Sequence, residues 1–120
     1  MRLRNKYRAQ KTVVDGITFD SKLESSLYLE LLARVRTGEF TCIARQVKFP
    51  LWGMNASLIC EHIVDFLCYL PDRSREAHEA KGISTRDWVI KRKLFEDNYP
   101  HIKYIVHKQR SWQKRRRRVA

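Results

Sequence analysis

The run from Leu58 to Leu70 constrains this chain more than any other feature, because it is the most apolar stretch of the sequence and yet carries an acid, Asp65, near its middle. An ionised carboxylate among aliphatic side chains costs several kcal/mol unless a positive group joins it. Ile63-Val64-Asp65-Phe66-Leu67 therefore reads as a strand that holds an acid for a purpose, since a surface loop would not have this composition. Strand alternation places Asp65 on one face with Ile63 and Leu67. Pro71-Asp72-Arg73-Ser74 is a turn, so Arg75 to Lys81 should return as the next strand of a meander. On that strand the same period sends Glu79 and Lys81 to one face and His78 and Ala80 to the other.

The flanking segments supply the remaining elements. Val13-Val14-Asp15-Gly16-Ile17-Thr18-Phe19 sets Asp-Gly between short β-branched runs and predicts a small hairpin. Ser21-x-x-Glu24 has the form of a capping box, and Leu23, Leu27, Leu31 and Val35, with Tyr28 and Leu32, define an amphipathic helix that ends at Gly38. Phe40 to Phe49 reads as a strand closed by Pro50. Ser84 or Thr85 can cap a second helix carrying Trp88, Leu94, Phe95 and Tyr99, stopped by Pro100, and His101 to Val106 reads as a last buried strand. The order is helix, three-stranded meander, helix, strand. This is an α/β (α+β) sandwich with a central mixed sheet flanked by helices, in which the second helix crosses over to a parallel partner.

Charge divides the chain into three. Residues 1–11 carry five basic and no acidic side chains, residues 108–120 carry seven and none, and residues 12–107 balance 13 Lys and Arg against 13 Asp and Glu. The whole excess of +12 thus lies on two arms, 1–11 and 108–120, around one neutral domain, 12–107. Arms of this kind suit a polyanion, and nucleic acid suits them better than a membrane because neither is an apolar-faced amphipathic helix. Arg2, Arg4, Lys6, Arg8, Lys114, Arg115, Arg116, Arg117 and Arg118 are the candidate contacts, and Trp112 among them can stack on an unpaired base. The start Met1-Arg2-Leu3-Arg4 lacks the apolar segment of a secretory signal, and no stretch approaches the roughly 18 apolar residues of a membrane span. Cys42, Cys60 and Cys68 show no paired spacing, which argues against disulfides and a structural zinc site and fits a reducing cytoplasm.

Asp65, Glu79 and Lys81 bring two carboxylates and an amine together. Hard oxygen pairs suit Mg²⁺, and an ammonium beside them can position a water or neutralise charge developing on a phosphate. Asp65 followed by Glu79-x-Lys81, on a meander preceded by a helix bearing Glu24, resembles the PD-(D/E)XK nuclease superfamily. The stretches Val14–Glu24, Val64-Asp65-Phe66, Glu79-Ala80-Lys81-Gly82 and Lys91–Pro100 resemble more narrowly a small phage- and prophage-encoded nuclease family of unassigned function related to Holliday junction resolvases. The resemblance spans residues 13–105 and implies a restriction-endonuclease-like core. It makes Asp65 and Glu79 metal ligands, Glu24 an additional acid at the metal, Lys81 the catalytic lysine and Lys91 a phosphate-facing auxiliary, with Lys93 beside it on a DNA-facing helix. Mg²⁺ is the implied cofactor, with Mn²⁺ as substitute, and 3′-hydroxyl and 5′-phosphate ends are the implied products. Two positions depart from the pattern: Val64 stands where a Pro is common, and His78 where these phage proteins place an acid.

Each residue also has a plainer reading. Glu24 can be only the capping-box partner of Ser21, Asp65 can be paired with an arginine, Glu79-x-Lys81 alone suits a solvated edge strand, and Lys91 to Lys93 suits a solvated helix face. His62 reads as a satisfied core histidine, and Trp52 and Trp88 as core. The combined expectation is a Mg²⁺-dependent DNA endonuclease in the cytoplasm of a bacterial host. No segment looks like a major-groove reader, which favours branched DNA, and the two nicks of a four-way junction favour a homodimer. The alternatives are a duplex-nicking or double-strand endonuclease of the same superfamily, and a non-catalytic nucleic-acid binder.

Overall fold

The computed structural model describes residues 11–108, which form an α+β fold. Strands β1 (Thr12–Val14) and β2 (Ile17–Phe19) make the hairpin, turned by Asp15 and Gly16 at φ 52° and 75°. Two successive left-handed residues define the tight turn that Asp-Gly favours. Helix α1 (Lys22–Arg36) follows, with the Ser21 hydroxyl accepting the Glu24 backbone N–H at 3.1 Å. Then come β3 (Cys42–Trp52), β4 (Leu58–Tyr69) and β5 (Arg75–Ala80), α2 (Arg86–Asn98) capped by Thr85, and β6 (Lys103–His107). The sheet order is β3-β4-β5-β6, antiparallel through the meander and parallel between β5 and β6, with α2 as the crossover. No helix among the described residues is long and apolar enough to cross a membrane.

Each face of the sheet has its own core. On one, Phe49, Leu51, Val64, Leu67 and Ala77 pack under Phe95 of α2 and Ile102. On the other, Phe66 and Cys68 meet Leu27 and Leu31 of α1, Phe19 of the hairpin and Phe40. Pro50 lies within β3 rather than closing it, which is tolerated because β3 is an edge strand with one side free of ladder bonds. Trp52 is not core: its side chain is 44 % exposed, while its backbone is held at both ends by the Asn98 amide, Oδ1 accepting the N–H at 2.7 Å and Nδ2 donating to the carbonyl at 3.2 Å.

Alternation breaks in the middle of the β3–β4 ladder. Ile43 packs on the α1 face and Arg45 lies over Phe19 there, yet Val47, Phe49 and Leu51, of the same parity, pack on the α2 face. In β4, Val64 packs on the α2 face and Phe66, two residues on, on the α1 face. Both exchanges occur at one rung, where Arg45 pairs Phe66, Val47 pairs Val64, and Gln46 and Asp65 between them make no ladder pair. Gln46 has φ 51°, a left-handed conformation that a non-glycine residue adopts at an energetic cost. The expected grouping of Asp65 with Ile63 and Leu67 therefore fails at Leu67, which is buried under α2 while Asp65 shares the Gln46 amide with Glu24 of α1; Ile63 is exposed.

Phe95 holds α2 to the sheet. It is fully buried, and its ring lies 4.9 Å from Phe49, 5.1 Å from Tyr104 and 5.7 Å from His62. Phe95→Ala should lower stability by about 3–5 kcal/mol through lost transfer energy and the cavity left behind. Urea unfolding measures this, and a loss below about 1 kcal/mol would mean that α2 is held by other contacts.

Candidate active site

The kink at Gln46 and Asp65 lies beside a fork in the sheet. The β4–β5 ladder runs from Tyr69↔Arg75 to Phe66↔His78 and stops there, whereas β5 stays paired with β6 as far as Ala80↔His107. One more rung would set Asp65 opposite Glu79. Instead β4 and β5 part, and the Ala80 N–H that loses its strand partner donates to Asp65 Oδ2 at 2.9 Å. A carboxylate has replaced a ladder carbonyl, because a backbone donor at this depth needs an acceptor.

Glu24 reaches the fork from the first turn of α1. It is 7 % exposed, and its Oε1 accepts from Gln46 Nε2 at 3.2 Å, while the same amide nitrogen lies 3.4 Å from Asp65 Oδ1. One amide group thus bridges two carboxylates on different elements. The second arm of the capping box does not close in the expected way, since the Glu24 carboxylate is stabilised by the Asp20 backbone N–H and by Gln46. Gln46 went unnoticed in the sequence. Ile43, Val47, Phe49 and Leu51 all have one parity, interrupted only by Arg45, which hides the kink that makes Gln46 important.

Glu79 comes from the far side of the fork and points toward α2. It is 5 % exposed, and its Oε2 accepts from Trp88 Nε1 at 2.5 Å and from the Tyr104 hydroxyl. Tyr104 in turn is 2.8 Å from His62 Nε2. Because the tyrosine proton goes to the carboxylate, His62 Nε2 must be the donor, which places a proton on that nitrogen. Burial holds the His62 pKa below its ordinary value, aided by the Lys91 and Lys81 charges and opposed by Glu79. His62 is therefore a satisfied core histidine. No partner binds Glu79 Oε1 among the described residues. Lys81 follows the alternation onto the same side, its Nζ 4.9 Å from the centre of the Trp88 ring. Lys91 is half-buried and near enough for His62 to feel its charge, whereas Lys93 is exposed.

On the opposite face His78 is fully buried, between Glu76 Oε1 at 2.9 Å and His107 Nε2 at 2.9 Å. It turns away from the acids and serves the α1-side packing against Phe40. The arm residues Arg2, Arg4, Lys6, Arg8, Trp112 and Lys114 to Arg118 lie outside the described residues.

Three acids from three elements leave a clear electrostatic trace. Asp65 is pushed up to about 7, first by desolvation, then by the charges of Glu24 and Glu79, with the Ala80 N–H and Gln46 working against the rise. Glu24 is raised by burial and by Asp20, against the Asp20 N–H, Arg45 and Gln46. Among the described residues, no group of three or more His, Cys, Asp or Glu side chains is placed so that it could hold a metal ion. Glu24 and Asp65 share a donor, while Glu79 is held apart by Trp88 and Tyr104.

The sequence model of a family described as Protein of unknown function (DUF1064) matches residues 4–114. No curated protein and no solved structure gives a significant match.

The raised Asp65 pKa links stability to pH. The folded protein keeps this proton up to about pH 7, whereas the unfolded chain releases it near the ordinary value of 3.8, so between these values the folded state binds more protons and stability falls as pH rises. In EDTA, Asp65→Asn should flatten that decline and be the more stable protein at about pH 8, with about 4 kcal/mol as the upper limit for a shift of this size. Urea midpoints of both proteins from about pH 4 to 8 test it. Parallel curves would mean that Asp65 is not desolvated among acids.

Proposed function

The chain belongs to the DUF1064 family of proteins of unknown function, and on that premise we propose that it is a divalent-cation-dependent endonuclease of the PD-(D/E)XK kind, hydrolysing phosphodiester bonds of branched DNA. One observation carries the reading. At the parting of β4 and β5, Asp65 has a carboxyl raised to about 7 by burial and by Glu24 and Glu79, with Lys81 two residues beyond Glu79 on the side that Glu79 faces. A purely structural acid would be expected to have a compensating cation, and among the described residues Asp65 accepts only from neutral donors, the Ala80 N–H and the Gln46 amide.

Mg²⁺, or Mn²⁺ in its place, fits this donor set. Glu24 Oε1 and Asp65 Oδ1 already face one positive amide edge, and Glu79 Oε1 is uncommitted among the described residues. A bound cation would supply Lewis acidity toward a phosphoryl oxygen and toward an attacking water. The protein's own groups do the rest. Trp88 and Tyr104 hold Glu79 by one oxygen, so the other stays aimed. Lys81, laid over the Trp88 ring, is kept from pairing directly with Glu79 and so keeps its charge for a phosphate oxygen or for hydrogen bonding to the oxygen of the attacking water. Lys91 extends the positive side toward the DNA. The basic arms add affinity that is indifferent to sequence, and two copies would offer two such sites to the opposed strands of a junction.

Four-way junction, flap, duplex and single-stranded DNA incubated with Mg²⁺ or with EDTA provide the test. Junction cleavage dependent on the cation is expected, with Asp65→Asn and Glu79→Gln inactive but binding DNA near wild-type affinity in Ca²⁺. Equal cleavage by either variant refutes the site, and binding of all substrates without cleavage points to a non-catalytic binder. Preferred nicking of plain duplex would keep the chemistry and change the substrate.

Lys81 should matter to the bond-breaking step more than to binding. Lys81→Ala is expected to slow single-turnover cleavage by roughly two orders of magnitude at saturating protein. If only the concentration for half-saturation moved, Lys81 would be a binding residue.

A further inference from the structure

Arg45 sits one residue before the bridging Gln46 and does something unusual for a half-buried arginine. Its guanidinium carbon lies over the Phe19 ring, 4.7 Å from the centroid, and its Nε is the one buried side-chain polar atom without a hydrogen-bond partner among the described residues. It makes no ion pair there either, although its charge is felt by Glu24. A buried N–H left unmet is uncommon enough to need a reason, and beside a cleft lined by acids an anion brought by a ligand is one that fits. Nor is the position an accident of regular strand geometry. The left-handed backbone of Gln46 exchanges the faces of β3 immediately after Arg45, so the kink that swings the Gln46 amide onto the acids also fixes Arg45 on the α1 side of them.

Two cations therefore flank the acids, Lys81 on the α2 side over Trp88 and Arg45 on the α1 side over Phe19, each steered by an aromatic ring away from a direct salt bridge. A planar guanidinium with free donors recognises tetrahedral oxyanions by paired hydrogen bonds, and stacking on a ring presets its plane.

We propose that Arg45 receives a backbone phosphate of the bound DNA strand at the mouth of the Glu24–Asp65 cleft. This rests on reading the cleft as one that takes DNA, and it adds a contact that neither the acids nor the arms supply. Arg45 positions the strand. It is distinct from the arm contacts because it is fixed by the fold and so selects one phosphate, whereas a contact spread along a basic arm would not.

The test is a scan of single neutral methylphosphonate substitutions along a junction strand, with binding of the full-length protein measured in Ca²⁺. For wild type, one position should weaken binding by roughly ten-fold, the scale of one charge-assisted contact. Arg45→Met, which keeps the stem on Phe19, should lose about as much on unmodified DNA and show no further loss at that position. Arg45→Gln repeats the scan with a polar side chain, so a folding defect in one variant leaves the other informative. Penalties that multiply at every position overturn the assignment. If DNA is never cut in Mg²⁺ but the scan still links Arg45 to one phosphate, the hydrolytic reading falls and this one stands. Cleavage by wild type together with a wild-type scan in both variants gives the reverse.

Discussion

The hydrogen bond from the Ala80 N–H to Asp65 Oδ2 is the contact on which the rest of the centre depends. It lets β4 and β5 separate after Phe66↔His78 without leaving a buried donor unmet, and the separation is what gives acids from both strands a common space. Without that bond the Ala80 N–H would need another acceptor, and if the ladder ran on instead its next rung would pair Asp65 directly with Glu79 on the adjacent strand. Fold and site are thus bound by one contact, since the acid that makes the cleft reactive also holds the cleft open.

That arrangement carries an energetic burden which the surroundings meet. Asp65 and Glu24 are both raised by burial, and the rise is offset at Asp65 by the neutral dipoles of Ala80 and Gln46 and at Glu24 by those of Asp20 and Gln46 together with the Arg45 charge. Left-handed Gln46 adds backbone strain at the same place. Two apolar layers brace it, Phe95 with Phe49 and Tyr104 on one face, Phe19 with Tyr28 and Phe66 on the other. Rigid aromatic packing on both sides lets a strained, charge-rich rung persist between them.

Most of the fold was legible because its signals are local. Asp15-Gly16 announces the hairpin, Ser21 and Thr85 start the helices, and the acid within Leu58–Leu70 marks the strand that carries Asp65. Glu79 and Lys81 followed from period two, which holds along β5 because that strand is regular. The failures share a cause. Pro50 was read as a stop because propensity does not know that β3 is an edge, and Trp52 as core because size does not reveal that Asn98 grips only its backbone. The burial of Leu67 away from Asp65 is hidden because, within β4, the faces exchange between Val64 and Phe66, both apolar, so no change of pattern marks it. Gln46 and Arg45 were invisible for the same reason: their importance comes from the kink, and the kink comes from pairing between distant strands.

Glu24 shows how a plain role and a chemical one can share a residue. The helix start needs an acceptor for the Glu24 N–H, and Ser21 supplies it, so the cap does not depend on the Glu24 side chain reaching back to Ser21. Freed from that duty, the carboxylate turns inward, where it is 7 % exposed and shares Gln46 with Asp65. A carboxylate used only for capping has no reason to accept such burial, because at the solvated end of a helix it would keep both its hydration and its favourable place at the positive end of the dipole. Its position is better explained by the fork than by the helix. The first turn of α1 is a mount, and the strand kink, not the capping motif, decides where the acid points.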